Sequence, residues 1–147
     1  MIWPYDFAGI VLAAFLGAAI GLERELSGKA AGLRTNLLIC LGAAVFTIIS
    51  REMPVPGTEL SITRIAAQIV TGVGFLGAGA IIQDRGGIHG LTTAATIWLV
   101  ASIGMACGAR FYMLGIITTF VALIILIIPA KIEKMIKRHK EDKNIIK

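Results

Sequence analysis

Long stretches without Lys, Arg, Asp or Glu are the feature of this sequence that most restricts its fold. There are five of them, at residues 7–22, 35–50, 65–83, 86–109 and 111–130. An α-helix rises about 1.5 Å per residue, so about 20 apolar residues cross the roughly 30 Å hydrocarbon core of a bilayer. The last three stretches meet that length, and the first two need flanking residues to reach the interface. We therefore predict an all-α membrane bundle of five transmembrane helices.

The composition agrees with a membrane protein. Hydrophobic residues make up 56% and charged residues 16%, against about 45–50% and about 25% in ordinary soluble domains. A soluble enzyme, a disordered chain and a coiled coil are therefore disfavoured, and the unbroken stretches disfavour a β-barrel of short alternating strands. With 147 residues, the chain has room for one domain. We divide it into a five-span transmembrane domain at residues 1–130 and a basic cytoplasmic tail at residues 131–147.

The basic residues are unevenly distributed between the two predicted faces of the membrane. Eleven of the 14 Lys and Arg residues lie in segments 23–34, 84–91 and 131–147, whereas the other three are Arg51, Arg64 and Arg110. Because cytoplasmic loops are enriched in Lys and Arg, this asymmetry predicts an N-out, C-in orientation. In a soluble protein a net charge of +5 would suggest nucleic acid. Here the charge follows an apolar stretch, so we expect a lipid bilayer as partner and no nucleic acid.

Charged residues next to the predicted spans are expected to meet at the cytoplasmic end of the bundle. They are Glu23, Arg24, Glu25, Arg34, Asp84 and Arg85. Carboxylates and guanidinium groups beside a low-dielectric slab should pair with one another. We expect Glu23 or Glu25 to pair with Arg34, and Asp84 to pair with Arg24 or Arg85. The cluster is either a structural tie between short helices or a functional interface.

Within this cluster we predict that Arg34 is the pivot, with Glu23 and Asp84 as its partners. Loss of Arg34 would leave acids near the bilayer without a cation. The sequence therefore predicts that Arg34→Ala destabilises the protein more than Arg51→Ala.

Glycines recur within the predicted spans and indicate close helix packing. Residues 72–77 satisfy the pattern GxGxxG, but a dinucleotide site also needs a preceding strand and a later acid, and neither is indicated. Small residues let helix backbones approach closely in lipid. We predict that the third span is the most tightly packed helix, although its glycines also permit a local break. The predicted packing residues are Gly17, Gly21, Gly72, Gly74, Gly77, Gly79, Gly104 and Gly108.

Several polar residues fall inside or at the ends of the predicted spans. They are Asn36, Gln68, Thr71, Thr92, Thr93 and Thr96. Threonine hydroxyls usually bond back to their own helix, whereas an amide such as that of Gln68 commonly bonds to another helix. These residues are predicted contacts between helices or, in a transporter, the lining of a path.

Metal binding and catalysis have little support in the sequence. Three carboxylates of the charged cluster are oxygen ligands of the kind that Mg²⁺ prefers, but Glu23 and Glu25 are two residues apart and do not share a helix face. Cys40 and Cys107 lie in apolar stretches and are predicted to be buried structural thiols. We find no nucleophile with a neighbouring base, no HExxH motif and no phosphate loop. We therefore expect no metal site, no cofactor and no enzymatic activity.

Several ordered motifs resemble the MgtC/SapB family of bacterial membrane proteins. They are GLERE at 21–25, GLRTN at 32–36, RIAAQIVTG at 64–72, GFLGAG at 74–79 and GLTTAATIW at 90–98. The similarity covers most of residues 8–128. It implies a five-span domain in the bacterial inner membrane and an association with growth in low magnesium. Virulence-type members often have Asn and Cys in the fourth-span motif, where this sequence has Thr92 and Leu99. This difference favours the general membrane role.

Taken together, the residues and the resemblance predict a non-enzymatic protein that regulates other membrane proteins through helix contacts. It is expected to act as a homo-oligomer, beside another membrane protein, or both. The alternative is a cation transporter or channel of the magnesium type. That alternative requires a water-filled path from the cytoplasmic acids to Gln68 or Thr71.

Overall fold

Over its described residues, the chain forms five helices and one short hairpin. The computed structural model describes the backbone of residues 4–53, 61–84 and 87–145, and the side chains of residues 4–53, 67–83, 87–130, 132 and 135. In chain order the elements are α1 (Pro4–Leu26), α2 (Leu33–Glu52), α3 (Ser61–Gly79), β1 (Ile82–Asp84), β2 (Gly87–His89), α4 (Leu91–Gly108) and α5 (Tyr112–Ile145).

Helices α2 and α4 form the centre of the bundle, because both buried clusters draw residues from them. The first cluster joins them to α1 and α5 and comprises Ala13, Ile20, Cys40, Ala44, Val100, Ile103, Cys107 and Ala122. The second joins them to α3 and comprises Ala31, Ala43, Ile69, Val73, Ile97 and Ala101. Both contain many small side chains, which allow the close helix approach typical of membrane bundles. The two cysteines are free and buried, as the sequence predicted.

Four helical segments among the described residues are long and apolar enough to cross a membrane. They are Pro4–Leu26, Leu33–Glu52, Leu91–Gly108 and Tyr112–Ala130. Large apolar side chains such as Phe15, Phe75 and Phe120 are mostly exposed on the outside of the bundle, which is unfavourable in water and suits lipid. The all-α membrane bundle is therefore confirmed. The span formed by α3 stays a prediction, because its described apolar part, Ala67–Gly79, is shorter than the other four. The N-out, C-in orientation also stays a prediction.

The third and fourth predicted spans are separated by a hairpin that the sequence prediction omitted. Helix α3 ends at Gly79, and β1 pairs antiparallel with β2. Gly90 follows with φ 88°, and a Cβ atom there would lie 2.0 Å from the Ala80 carbonyl oxygen. Glycine alone combines this left-handed conformation with so close an approach. The chain thus turns into α4 at residue 91. Residues 80–83 of the predicted third span and residues 87–90 of the predicted fourth span therefore lie outside the helices.

Two glycines of α1 and both glycines of α4 lie where these helices contact α2. A Cβ atom at Gly17 would lie 2.6 Å from the Cβ atom of Cys40, and one at Gly104 would lie 2.1 Å from the Cys40 carbonyl oxygen. Gly21 and Gly108 lie similarly close to the α2 backbone. These four positions bring α1, α2 and α4 to backbone contact distance, and larger residues there would separate the helices.

Helix α3 differs from this pattern, which corrects the prediction that it is the most tightly packed helix. Cβ atoms added at three of its four glycines would have no neighbour within 4 Å among the described residues: Gly72, Gly74 and Gly79. Gly77 makes an ordinary contact with α4 and lies on the same face as the buried Ile69 and Val73. These three recur every four residues, so the other glycines fall on different faces of the helix. Most of the small residues of α3 are therefore open to its surroundings.

Helix α5 continues beyond the predicted domain boundary at residue 130. It runs through Pro129 to Ile145. The backbone of the predicted tail is therefore helical over its described length. The side chains of Ile132 and Met135 are exposed.

Candidate functional site

The charged groups of the bundle lie at its two ends. The end that contains the start of α1 and the end of α2 is named here the Asp6 end, and the opposite end is named the Glu23 end. At the Asp6 end, the carboxylate of Asp6 has no exposed surface and forms salt bridges with Arg51 and Arg110. The two arginines lie 45 and 104 residues away in the sequence. This acid therefore links the start of α1 to the end of α2 and to the turn between α4 and α5.

The geometry at Arg110 indicates a specific contact. Its Nε and Nη2 atoms donate to the two carboxylate oxygens of Asp6 at 3.1 and 3.0 Å, a bidentate arrangement. Its guanidinium group also lies 5.8 Å from the centre of the Tyr5 ring, within cation–π range. Arg110 has φ 68°, a conformation that costs free energy in a residue other than glycine. The salt bridge and the ring contact offset that cost.

Arg51 completes the connection between helices at the same end. It donates to Asp6 and, through Nη1, to the Gly108 carbonyl oxygen at 2.9 Å. Gly108 is the last residue of α4, whose final carbonyl groups have no partner within the helix. Arg51 thus donates a hydrogen bond to the carbonyl end of α4 and also places a positive charge beside the buried Asp6 carboxylate. We name Asp6, Arg51 and Arg110 the Asp6 clamp.

At the Glu23 end the ion pair is local. Arg24 is 2% exposed, and its Nη2 atom donates to Oε1 of the neighbouring Glu23 at 2.7 Å. The same oxygen of Glu23 accepts a hydrogen bond from the hydroxyl of Ser27 at 2.8 Å. All three residues are in α1 or directly after it, so these contacts neutralise a buried cation without joining two helices.

Glu25 has a different role from the one predicted for it. Its Oε2 atom accepts a hydrogen bond from the backbone N–H of Leu33 at 2.9 Å. Leu33 is the first residue of α2, and its N-cap Gly32 provides no side-chain acceptor. A carboxylate at this position satisfies a free N–H group and is favoured by the helix dipole. Glu25 therefore caps α2 from the preceding helix.

The predicted pairing of Arg34 with Glu23 or Glu25 is wrong. Arg34 is exposed and forms no ion pair with any side chain that the structure describes. Glu23 is occupied by its neighbour Arg24, and Glu25 is occupied by the start of α2.

Two residues of the predicted cluster cannot be placed. Arg85 and the side chain of Asp84 lie outside the described residues. The predicted pairing of Asp84 with Arg24, Arg34 or Arg85 therefore stays a prediction. Among the residues that are described, no group of three or more His, Cys, Asp or Glu is placed to hold a metal ion.

The predicted polar residues inside the spans are in unlike environments. Asn36 is fully buried, and its amide nitrogen donates to the Ala31 and Gly32 carbonyl oxygens at 2.7 and 2.8 Å. Thr93 and Thr96 are buried in α4, and Thr96 bonds back to the Thr92 carbonyl oxygen. The other polar residues are exposed: Gln68, Thr71 and Thr92. The structure therefore does not bring the set together into one polar path through the part of the bundle that it describes.

An apolar groove lies between α2 and α3 on the outside of the bundle. It has a volume of about 610 Å³, and we name it the α2–α3 groove. Residues 38–46 of α2 contribute one wall, and residues 68–76 of α3 contribute the other. The lining residues are Leu38, Ile39, Gly42, Ala43, Phe46, Gln68, Ile69, Gly72, Val73 and Leu76. Gln68 is the one residue in this set with a polar side chain.

The Asp6 clamp was missed because its members are far apart in the sequence. The charge distribution assigned Arg51 and Arg110 to the same face of the membrane and gave no role to Asp6. The sequence did contain a signal: Asp6 precedes one apolar stretch, and Arg51 and Arg110 each directly follow another. It gives no register between the helices, so the pairing required the structure.

Comparisons with known proteins agree with the motifs. The profile of the MgtC family matches residues 10–135. The Escherichia coli K12 protein named "Putative magnesium transporter YhiD" is 48% identical over 122 residues, which cover 80% of this chain and 57% of that protein. Proteins named MgtC from Brucella abortus and Salmonella typhimurium are 45% and 46% identical over 74% and 84% of this chain.

These alignments cover 46% and 51% of the two MgtC proteins. The chain therefore spans about half the length of the curated relatives that it matches. No solved structure matches the chain.

Proposed function

The chain belongs to the MgtC family, and on this premise we propose that it regulates other membrane proteins through helix contacts. It does so as a non-enzymatic protein of the bacterial inner membrane, with the Glu23 end in the cytoplasm. The distribution of Lys and Arg supports this orientation. The link to low-magnesium adaptation comes from the family resemblance.

The observation that carries this proposal is the contrast between the ends of the bundle and its sides. At the ends, the described buried charges are paired within the chain, as in the Asp6 clamp. On the side, the α2–α3 groove is apolar and is not covered by any segment that the structure describes, and open glycines lie along α3. The apolar surface without an intramolecular contact, among the described residues, therefore faces the lipid, where a helix of another membrane protein can pack against it.

A matched pair of variants tests whether the groove is needed for function. Gly72→Trp fills the groove at a position where nothing in the described chain lies within 4 Å of the added Cβ atom. Ile125→Trp adds the same bulk on α5, where the side chain is 60% exposed. In a strain lacking the native gene, the first variant should fail to restore growth at limiting magnesium, and the second should restore it. Both proteins should reach the membrane at normal levels. Restored growth with Gly72→Trp would contradict the proposal.

The second candidate is a magnesium transporter or channel, which the name of the Escherichia coli relative favours. Such a protein needs oxygen ligands for Mg²⁺ along a hydrated path. The two candidates separate in liposomes that contain a magnesium-sensitive dye and the purified protein alone. A regulator should produce no more dye response than protein-free liposomes, with an ionophore as positive control. Rapid magnesium entry with the protein alone would favour the transporter.

A further inference from the structure

The groove that supports the proposed function contains an unmatched polar group. Gln68 is exposed in the α2–α3 groove, and its amide makes no hydrogen bond within the part of the chain that the structure describes. An amide has donors and an acceptor, and leaving these unpaired in hydrocarbon is unfavourable. An acyl chain of a lipid fills apolar space but offers no hydrogen bond. The occupant of the groove therefore needs a polar side chain of its own.

The groove lies at the depth of the hydrocarbon core. Its α2 wall runs from Leu38 to Phe46, within a helix that begins at Leu33 and ends at Glu52. At about 1.5 Å per residue, these limits are about 7 Å and 9 Å from the helix ends. Gln68 itself lies seven residues, or about 10 Å, after the start of α3 at Ser61, so its amide is inside the core and away from the headgroups. This position leaves a second transmembrane helix as the source of the partner.

Symmetry supplies a partner of the right chemistry at the right depth. Two copies inserted in the same orientation are related by a twofold axis along the membrane normal, so identical residues lie at the same depth. A Gln amide is complementary to itself, because each copy donates and accepts one hydrogen bond. At Gly42 and Gly72, no residue that the structure describes lies within 4 Å of an added Cβ atom, which leaves room for a helix to approach closely.

We propose that α3 of a second copy of this chain occupies the α2–α3 groove, with the two Gln68 amides hydrogen-bonded across a twofold axis. The inference rests on the proposed function in one respect, namely that helix contacts are how the protein acts. It adds the identity of the helix, its partner and the residue at the centre of the interface.

Disulfide trapping in phosphatidylethanolamine and phosphatidylglycerol liposomes tests the geometry. Leu76→Cys places a thiol on the groove wall, and Ile125→Cys is the matched control on α5; the native side chains are 51% and 60% exposed. The native Cys40 and Cys107 are buried and should not react, which the unmodified protein checks. Mild oxidation should link Leu76→Cys into a covalent dimer and leave Ile125→Cys monomeric. Equal linkage of the two variants, or none in Leu76→Cys, would overturn the proposal.

Substitution of Gln68 tests the hydrogen bond itself. Interhelical hydrogen bonds in membranes correspond to about a three- to tenfold change in association. Gln68→Leu should therefore weaken the dimer by that factor in an energy-transfer dilution series in liposomes. Gln68→Asn, which keeps an amide, should weaken it less. An unchanged dimer in Gln68→Leu would overturn the assignment.

The dimer assay and the growth assay separate this inference from the proposed function. Purified protein that stays monomeric, while Gly72→Trp still abolishes growth, would overturn the second copy as occupant and leave regulation through the groove intact. A dimer that forms as proposed, combined with magnesium entry into liposomes, would support this inference and contradict the regulatory function.

Discussion

Among the side chains that the structure describes, each end of the bundle buries one charged group, and the two ends neutralise it by different means. At the Asp6 end the buried group is an acid whose arginine partners come from α2 and from the α4–α5 turn. At the Glu23 end the buried group is Arg24, whose partner is the preceding residue. The first arrangement fixes helices relative to one another, and the second does not. Burial of a charge therefore does not reveal whether its ion pair holds the fold together.

The largest expected effect follows removal of both arginines from the Asp6 clamp. Arg51→Ala combined with Arg110→Ala leaves the buried Asp6 carboxylate without either guanidinium group. Breaking a buried ion pair from one side costs about 3–5 kcal/mol. The free energy of unfolding, measured by denaturant titration in bicelles, should fall by about that amount. Glu52→Ala is the control, because Glu52 is exposed and its described side-chain contacts are long ones to the neighbouring Arg51, at 3.3 and 3.4 Å; it should change little.

A comparison of two single variants reverses the order that the sequence predicted. Arg51→Ala removes a charge-assisted hydrogen bond to a buried acid, worth about 1.5–3 kcal/mol, while Arg110 remains in place. Arg34→Ala removes an exposed side chain and should change stability by less than about 0.5 kcal/mol. Thermal unfolding of both variants in the same detergent checks the order. Equal losses of thermal stability, or a larger loss for Arg34→Ala, would show that Arg34 makes a stabilising contact between helices at the Glu23 end.

A smaller effect is expected from the cap of α2 at the Glu23 end. Glu25→Ala removes the acceptor for the Leu33 N–H group, and an N-terminal cap is worth about 1 kcal/mol. Glu25→Gln keeps an oxygen acceptor and should retain part of this stability. Gly32→Ala should resemble Glu25→Ala, because its Cβ atom would lie 1.9 Å from the Glu25 carboxylate. Unfolding titrations of the three variants test this order, and no loss in Glu25→Ala would exclude the cap.

The smallest effect is expected when the local ion pair is replaced as a unit. Glu23→Gln combined with Arg24→Met removes both charges and keeps similar volumes. Because replacing a buried pair with neutral groups is often neutral or stabilising, the free energy of unfolding should not fall. Glu23→Gln alone is the matched control, and it should destabilise because it leaves Arg24 buried without its partner. A large loss in the double variant would mean that the pair also joins helices.

The helical bundle could be predicted because its cause is local. Each apolar stretch needs only its own length and composition to form a span, and four of the five appear as helices of sufficient length. The hairpin could not be read in this way. It depends on the approach of Gly90 to Ala80, and the apolar residues on either side look like a continuation of the spans.

The charged residues show the same limit. Glu23 and Arg24 are neighbours in the sequence and in space, so their grouping could be predicted. Asp6 and Arg110 are 104 residues apart, and only the packing of α1 against α4 brings them together. The glycines of α3 were misjudged for a related reason, since composition shows that a helix can pack closely but not which face does so.

The most direct test of this account is a pair of double-mutant cycles on the free energy of unfolding, one at each end of the bundle. Asp6→Asn and Arg51→Ala should be coupled by about 1–3 kcal/mol, whereas Glu23→Gln and Arg34→Ala should differ from additivity by less than about 0.5 kcal/mol. Strong coupling between Glu23 and Arg34, with additive effects at Asp6 and Arg51, would contradict it.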